Sequence, residues 1–399
     1  MWKAFRSRNF RLYYAGQGVS LIGTWMQQVA MSWLVYRLTG SSGMLGLIVF
    51  LTQIPALVLS PVLGVFIDRY PLKKIILLTQ AAALVQAALI AYLTLTGQAT
   101  IPAIAVLSLV FGIINAMDMP VRQAFMIELV EERELLPNAL ALQAALVNTA
   151  RLVGPAIAGI LISVIGEGWC FGLNAASYCF VLIALGLTRV QPHQASSAVK
   201  SLRQEFISGF RYLRTEKAIS TVILLVASMT LVGSSFLVIM PVFTDRVLHS
   251  GSGTLGLLLG ASGAGALVGA LLLARRKNLK TLHRSMWFST LALGIFLVGL
   301  AFASVPVIAF LFMVSTGFFL VNINAGANLY LQSAVRDDMR GRVMSMFSLA
   351  FLGIPALGGL LAGYLSEALG VATAVALLGG ATVICALLFW GRIRPVAAD

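Results

Sequence analysis

Charge is what this sequence has least of. Only 11% of its 399 residues are Asp, Glu, Lys or Arg, whereas a soluble globular domain carries about 25%. The shortage falls hardest on acids, with 14 Asp+Glu against 28 Lys+Arg. Cysteine is scarce too. Cys170, Cys179 and Cys385 all fall inside apolar runs, and Cys170 and Cys179 share one helix at a separation no bridge can span, which excludes a disulfide frame or thiolate metal set. The three histidines, His193, His249 and His283, lie in expected loops with no nucleophile or metal set nearby. No catalytic or metal residues are expected. No glycine-rich phosphate loop is present, which excludes direct drive by ATP, and no cofactor is expected. Met1–Arg11 is basic, but the next run is too long for a signal peptide and lacks a small-residue cleavage site.

Apolar sequence fills the gap. Hydrophobic residues make up 59% of the chain, and the mean hydropathy is +0.93. They come in runs of membrane length rather than the short alternating segments of an outer-membrane barrel. The expected class is therefore an all-α membrane protein. Twelve spans are read, near 12–36, 43–67, 75–96, 101–121, 138–165, 169–188, 219–243, 254–274, 285–304, 307–332, 343–366 and 372–391. All the Lys and Arg residues except Arg37, Arg151 and Arg246 then fall in links on one side. By the positive-inside rule that side, with both termini, is cytoplasmic. The formal charge of +14 reports topology and contact with anionic lipid, not a nucleic-acid partner.

The chain is organised around the link Gly64–Lys74, GVFIDRYPLKK. Gly64 sits one turn before Asp68, where a second helix can approach closely. Asp68, at a membrane boundary, needs a cation or a helix N-terminus as partner. The longest hydrophilic stretch, 190–218, turns amphipathic from Lys200, with Leu202, Phe206, Phe210 and Leu213 at helical spacing, and reads as a surface helix. The sequence also repeats itself. Ser42–Leu47 (SGMLGL) is echoed by Ser252–Leu257 (SGTLGL), and Pro155–Gly159 (PAIAG) by Pro355–Gly359 (PALGG).

Gly64, Asp68, Arg69 and the trailing Lys73-Lys74, with a parallel 6+6 repeat about a basic central link, resemble the major facilitator superfamily. Pro71 and Leu72 stand where that family has a glycine and a basic residue. The resemblance implies twelve transmembrane helices in two six-helix halves, 1–189 and 219–399, joined by 190–218. Gly154-Pro155 followed by Gly159 resembles the signature of the superfamily's antiporters, and Asp118-Met119-Pro120-Val121-Arg122 resembles its drug and siderophore exporter branch. Gly64, Asp68, Arg69, Lys73, Asp118, Arg122, Gly154 and Pro155 are the gating residues so implied. Asp68 is expected to pair at the cytoplasmic end with Arg122 or the start of span 11 when the transporter faces outward.

Polar residues inside spans must face a wet cavity or each other. Gln17, Ser20, Thr24, Gln27 and Gln28 line up on span 1, and Thr316, Asn324, Asn328 and Gln332 on span 10. The resemblance places helices 1, 4, 7 and 10 on a central cavity, so Gln17, Thr24, Gln28, Asn324 and Asn328 are expected to bind substrate. Interhelical hydrogen bonding is the competing reading. Arg151 lies about 20 Å into span 5, near the middle of the bilayer. It pairs with Asp118 or a helix carbonyl, binds an anionic group of the substrate, or snorkels to the surface. Asp118 reads as lying at the cytoplasmic edge, so no carboxylate is expected near the midplane. If protons drive transport, Asp118 and Asp68 are the carriers.

The resemblance implies a secondary active transporter of a bacterial inner membrane, expected to export amphipathic small molecules, drug- or siderophore-like, in exchange for protons, as a monomer. A lysolipid flippase or an importer of the same fold is the alternative within the class. A multispanning membrane enzyme is the alternative outside it, and would need a clustered set of His, Ser or carboxylates at one face.

Overall fold

A computed structural model describes residues 3–130, 133–189, 202–276 and 281–390. The side chains of 60–69, 133, 202–207 and 337–338 lie outside that description, and with them the Gly64, Asp68 and Arg69 positions of the 2–3 link. The described secondary structure is helical throughout. In order it runs α1 Arg8–Thr39, α2 Ser42–Arg69, α3 Leu72–Leu95, α4 Ile101–Leu129, α5 Leu136–Ile165, α6 Glu167–Leu187, α7 Leu202–Thr215, α8 Lys217–Ser228, α9 Met240–Arg246, α10 Ser252–Ala274, α11 Leu282–Ala301, α12 Pro306–Ala334, α13 Asp337–Ser348, α14 Ile354–Leu369 and α15 Val371–Leu388.

Local chemistry sets the corners. Ser7 caps α1, its Oγ accepting from the Phe10 N–H at 3.3 Å, and Ser41 caps α2 by accepting from the Met44 N–H at 3.1 Å. Gly166 and Gly370 both stand at φ 84°, where a side chain is strained. The first ends α5 and the second ends α14, each one residue before the next helix. The internal repeat thus extends to its corners.

Eleven helical stretches among the described residues are long and apolar enough to cross a membrane. The sequence led to an expectation of twelve, and the difference is α1. It is long enough at 32 residues, but it buries Gln17, Ser20 and Gln27 against other helices. Two expected spans are not plain α-helix. Lys217–Arg246 crosses as α8, a π-turn over Met229–Gly233, a 3₁₀ turn over Ser235–Ile239 and α9, and Met339–Leu369 contains a second π-turn over Leu349–Gly353. A π-turn frees a backbone carbonyl. Here the Thr230 hydroxyl of the first donates to the Ala350 carbonyl of the second at 2.8 Å.

Span 4 was expected to end near residue 121, but α4 runs to Leu129. Asp118 is consequently not at an edge. It is 3% exposed and lies about 5 Å beyond the midpoint of a helix about 43 Å long. A carboxylate therefore does sit deep in the bundle. In the central link a helix does form, α7, and it packs on α13.

α1 packs on α5 and α6, α3 on α4 and α6, and α2 on α4. In the later chain α10 and α11 pack on α12, and α11 on α15. Among the described residues the most extensive contacts between the earlier and the later helices are α2 with α14 and α5 with α10, beside smaller ones of α2 with the Ser235–Ile239 and Leu349–Gly353 turns and of α1 with α9. The two most extensive use the sequence echoes crosswise. A Cβ built on Gly46 would lie 2.6 Å from the Gly359 carbonyl oxygen, and one on Gly363 2.6 Å from that of Ser42. A Cβ on Gly159 would lie 2.8 Å from the Gly256 Cα, and one on Gly256 2.5 Å from the Pro155 carbonyl oxygen. SGxLGL of each repeat meets PAxxG of the other with no side chain between the backbones.

A candidate transport cavity between the two sets of helices

Between these contacts lies a cavity of about 2260 Å³, lined by α1, α2, α4 and α5 from one side and by α10, α12 and the two π-turn segments from the other. Its two ends differ. The glycine seam closes the end where α2 and α10 begin, the far end. Polar contacts add to it: the Glu367 Oε2 accepts from the Ser42 N–H at 2.8 Å, the Gly43 N–H at 3.1 Å, the Ser42 Oγ at 3.0 Å and the Ser41 Oγ at 3.1 Å. A carboxylate at a helix N-terminus is favourably placed. Tyr36 donates to Asp245 Oδ2 at 2.6 Å, and Arg246 Nη2 to the Gly40 carbonyl at 2.7 Å. At the opposite, basic end the lining residue Leu140 is 46% exposed and Gly341 is also exposed. The cavity opens there.

Thr24, Gln28, Arg151, Asn324 and Asn328 all line the cavity. Thr24 Oγ1 stands 3.4 Å from the Tyr178 hydroxyl. Asn324 Nδ2 donates to the Leu320 carbonyl at 3.0 Å while its Oδ1 is buried with no partner, and Asn328 accepts from Gln332. Gln17 is a correction. It is 1% exposed, lies outside the cavity lining, and neither end of its amide has a hydrogen-bond partner. Helical spacing put it on the Gln28 stripe, but α1 also packs on α6, and Gln17 falls on a buried face.

Asp118 accepts from Thr79 Oγ1 at 2.8 Å and Gln80 Nε2 at 2.7 Å, and it pairs with Arg122 one turn on in α4. Both members of the pair border the cavity. The expected Arg151–Asp118 pair is therefore absent, and Arg122 is engaged by Asp118; the expected pairing of Asp68 lies outside the described side chains. Arg151 instead lies over the Trp25 ring, 5.5 Å from its centroid. Gly154 makes this possible, since a Cβ there would lie 2.6 Å from the Trp25 Cβ. Pro155 lies within a continuous α5 and lines the cavity. Lys73 donates to the Thr188 carbonyl at 2.7 Å, at the end of α6. This bond satisfies a helix-terminal acceptor.

Sequence reading missed Glu367, Tyr36 and Asp245 at the far end, and Gln143, Asn148 and Arg342 on the cavity wall. The signal for the wall was available. Gln143, Val147 and Arg151 recur every fourth residue of α5, and that stripe faces the cavity.

Spanning helices around a central cavity open at one end are the build of a membrane transporter. A family model described as transmembrane secretion effector matches residues 1–397. The chain belongs to that family, within the major facilitator superfamily. It is 25% identical over 394 residues to the staphyloferrin A transporter of Staphylococcus aureus, covering 98% of this chain and 96% of that one. It is 29% identical over 371 residues to the multidrug efflux pump Tap of Mycobacterium tuberculosis, covering 90% and 85%. The fold is similar to that of the crystal structure of the nucleoside transporter NupG, with a TM-score of 0.74 at 16% identity, covering 97% and 99%.

Proposed function

We propose that this protein exports amphipathic small molecules from the bacterial cytoplasm by proton-coupled alternating access. In this reading α1 is the twelfth span, residues 1–189 and 219–399 are the two moving halves, 190–218 joins them, and both termini are cytoplasmic in the inner membrane. The observation that carries the reading is the cavity between the halves, sealed at one end and open at the other. With the basic end cytoplasmic, it is loaded from inside. The named activities of the staphyloferrin A transporter and of Tap support export.

Substrate enters past Leu140 and Gly341 and meets Thr24, Gln28, Arg151, Asn324 and Asn328. Release outward requires α2 to part from α14 and α5 from α10, which breaks the Glu367 and Tyr36–Asp245 contacts. The 2–3 link of Gly64, Asp68, Arg69 and Lys73 then closes the cytoplasmic end. Asp118 is the proton carrier. It borders the cavity, and taking up a proton there releases Arg122 from its ion pair. Transport into inverted vesicles, with and without an imposed pH gradient, tests the whole. Uphill accumulation of unmodified substrate that stops when the gradient is collapsed is the expected result. Chemical change of the substrate, or accumulation indifferent to the gradient, refutes it.

A further inference from the structure

We propose that the cavity selects organic anions and that Arg151 receives their carboxylate. This rests on the cavity being the transport path and adds the class of substrate.

Among the described residues the charged ones lining the cavity are Asp118, Arg122, Arg151 and Arg342. The one carboxylate is fully occupied, paired with Arg122 and accepting from Thr79 and Gln80. A cationic substrate finds no free counter-charge among the described lining residues. Two guanidiniums have no carboxylate partner there. Arg342 sits at the open end, with one nitrogen donating to Met339 Sδ at 3.2 Å. A cation at a narrow mouth raises the local concentration of anions. Arg151 lies deep, and no hydrogen bond or ion pair engages it among the described residues. Its guanidinium carbon lies 5.5 Å from the Trp25 ring centroid, a cation–π contact. With no described acceptor on its N–H groups, the guanidinium fork is open to a carboxylate through two parallel hydrogen bonds.

The surroundings define the rest of the ligand. Gln143 Oε1 and Asn324 Oδ1 are buried and unpartnered, on opposite walls of the cavity. They suit hydroxyl or amide N–H groups on the ligand, and Trp25 and Phe111 suit an apolar body. Position matters as well. A Cβ on Gly263 would lie 2.7 Å from the Arg151 carbonyl oxygen, so Arg151 stands where α5 meets α10. An anion bound there neutralises a buried charge beside the joint that must open.

The test uses purified full-length protein in nanodiscs and three probes of one shape: dansylglycine, its methyl ester, and dansylethylenediamine as the cation. Dansylglycine is expected to bind at least tenfold more tightly than the other two. Arg151→Gln weakens dansylglycine at least tenfold and leaves the ester unchanged, and Arg151→Lys falls between, because charge is kept and the fork is lost. A native protein that does not prefer dansylglycine overturns the proposal, and this needs no variant to fold. Equal loss for all three probes in a folded Arg151→Gln protein, checked by its Tm, also overturns it. Vesicle transport separates this inference from the export reading. Gradient-driven movement of the cation alone refutes anion selection and leaves export standing, whereas anion binding without transport refutes export and leaves the site standing.

Discussion

The two ends of the cavity are held by different kinds of contact. At the far end backbone meets backbone, through Gly46, Gly159, Gly256 and Gly363. Such a contact is short-ranged and either made or lost. Toward the basic end the Asp118–Arg122 pair, deep in the bundle, and the Lys73–Thr188 bond at its edge both stay within the first six helices. The far end is a seal between halves, and the basic-end contacts are braces within one. Steric fit therefore decides whether the far end is shut, and in the proposed cycle it is charge toward the basic end that responds to protons and substrate.

The largest effect is expected at the seam. Gly256→Leu places a side chain where a Cβ alone would lie 2.5 Å from the Pro155 carbonyl oxygen. Overpacking of this kind costs about 1–3 kcal/mol. Transport in vesicles should fall at least tenfold, and a far-side maleimide should reach Val49→Cys in a background lacking the native cysteines. Next is Asp118→Asn, which leaves Arg122 buried without its partner, a loss of about 3–5 kcal/mol. Tm should drop and the pH-gradient response should vanish, with the far-end seal intact by the same labelling. Asp118→Leu combined with Arg122→Leu should restore Tm but not the gradient response.

A smaller change is expected from Glu367→Gln. The amide still accepts, but without the charge that strengthens each bond, and the residue is exposed. Labelling of Val49→Cys from the far side should rise about threefold, since hydrogen bonds to charged groups contribute only about 1.5–3 kcal/mol even when sheltered. Arg37→Gln should do least. Its 2.8 Å pair with Glu167 joins α1 to α6 within one half, and the Arg37 side chain is 53% exposed. Stability should change by less than about 0.5 kcal/mol and labelling not at all. A large effect there would erase the distinction between seal and brace.

Much of this was legible in the sequence, and the failures have physical causes. The echoes Gly46/Gly256 and Gly159/Gly359 were visible because close backbone approach tolerates few residue types. Which repeat touches which was not visible, since the crosswise pairing is set by tertiary geometry. Asp118 was placed too near an edge because a charged residue followed by Pro120 and Arg122 reads as the end of a span. The ion pair and two hydrogen bonds allow the helix to continue past it. Gln17 and Gln28 belong to one polar stripe, yet α1 contacts several helices and only part of the stripe is left facing the cavity. Glu367 was passed over as a lone acid at a span end. Its partner, the N-terminus of α2, lies more than three hundred residues away in sequence.

The most direct test measures both ends at once, by spin-label distances in one cysteine-free protein. A far-end pair, Gln98→Cys with Ser304→Cys, reports the seal, and a basic-end pair, Lys74→Cys with Arg284→Cys, reports the mouth. All four positions are exposed. Under a proton gradient with transported substrate, the far-end distance should lengthen in the same population in which the basic-end distance shortens. Two distances that stay fixed, or lengthen together, while transport proceeds would contradict alternating access between these halves.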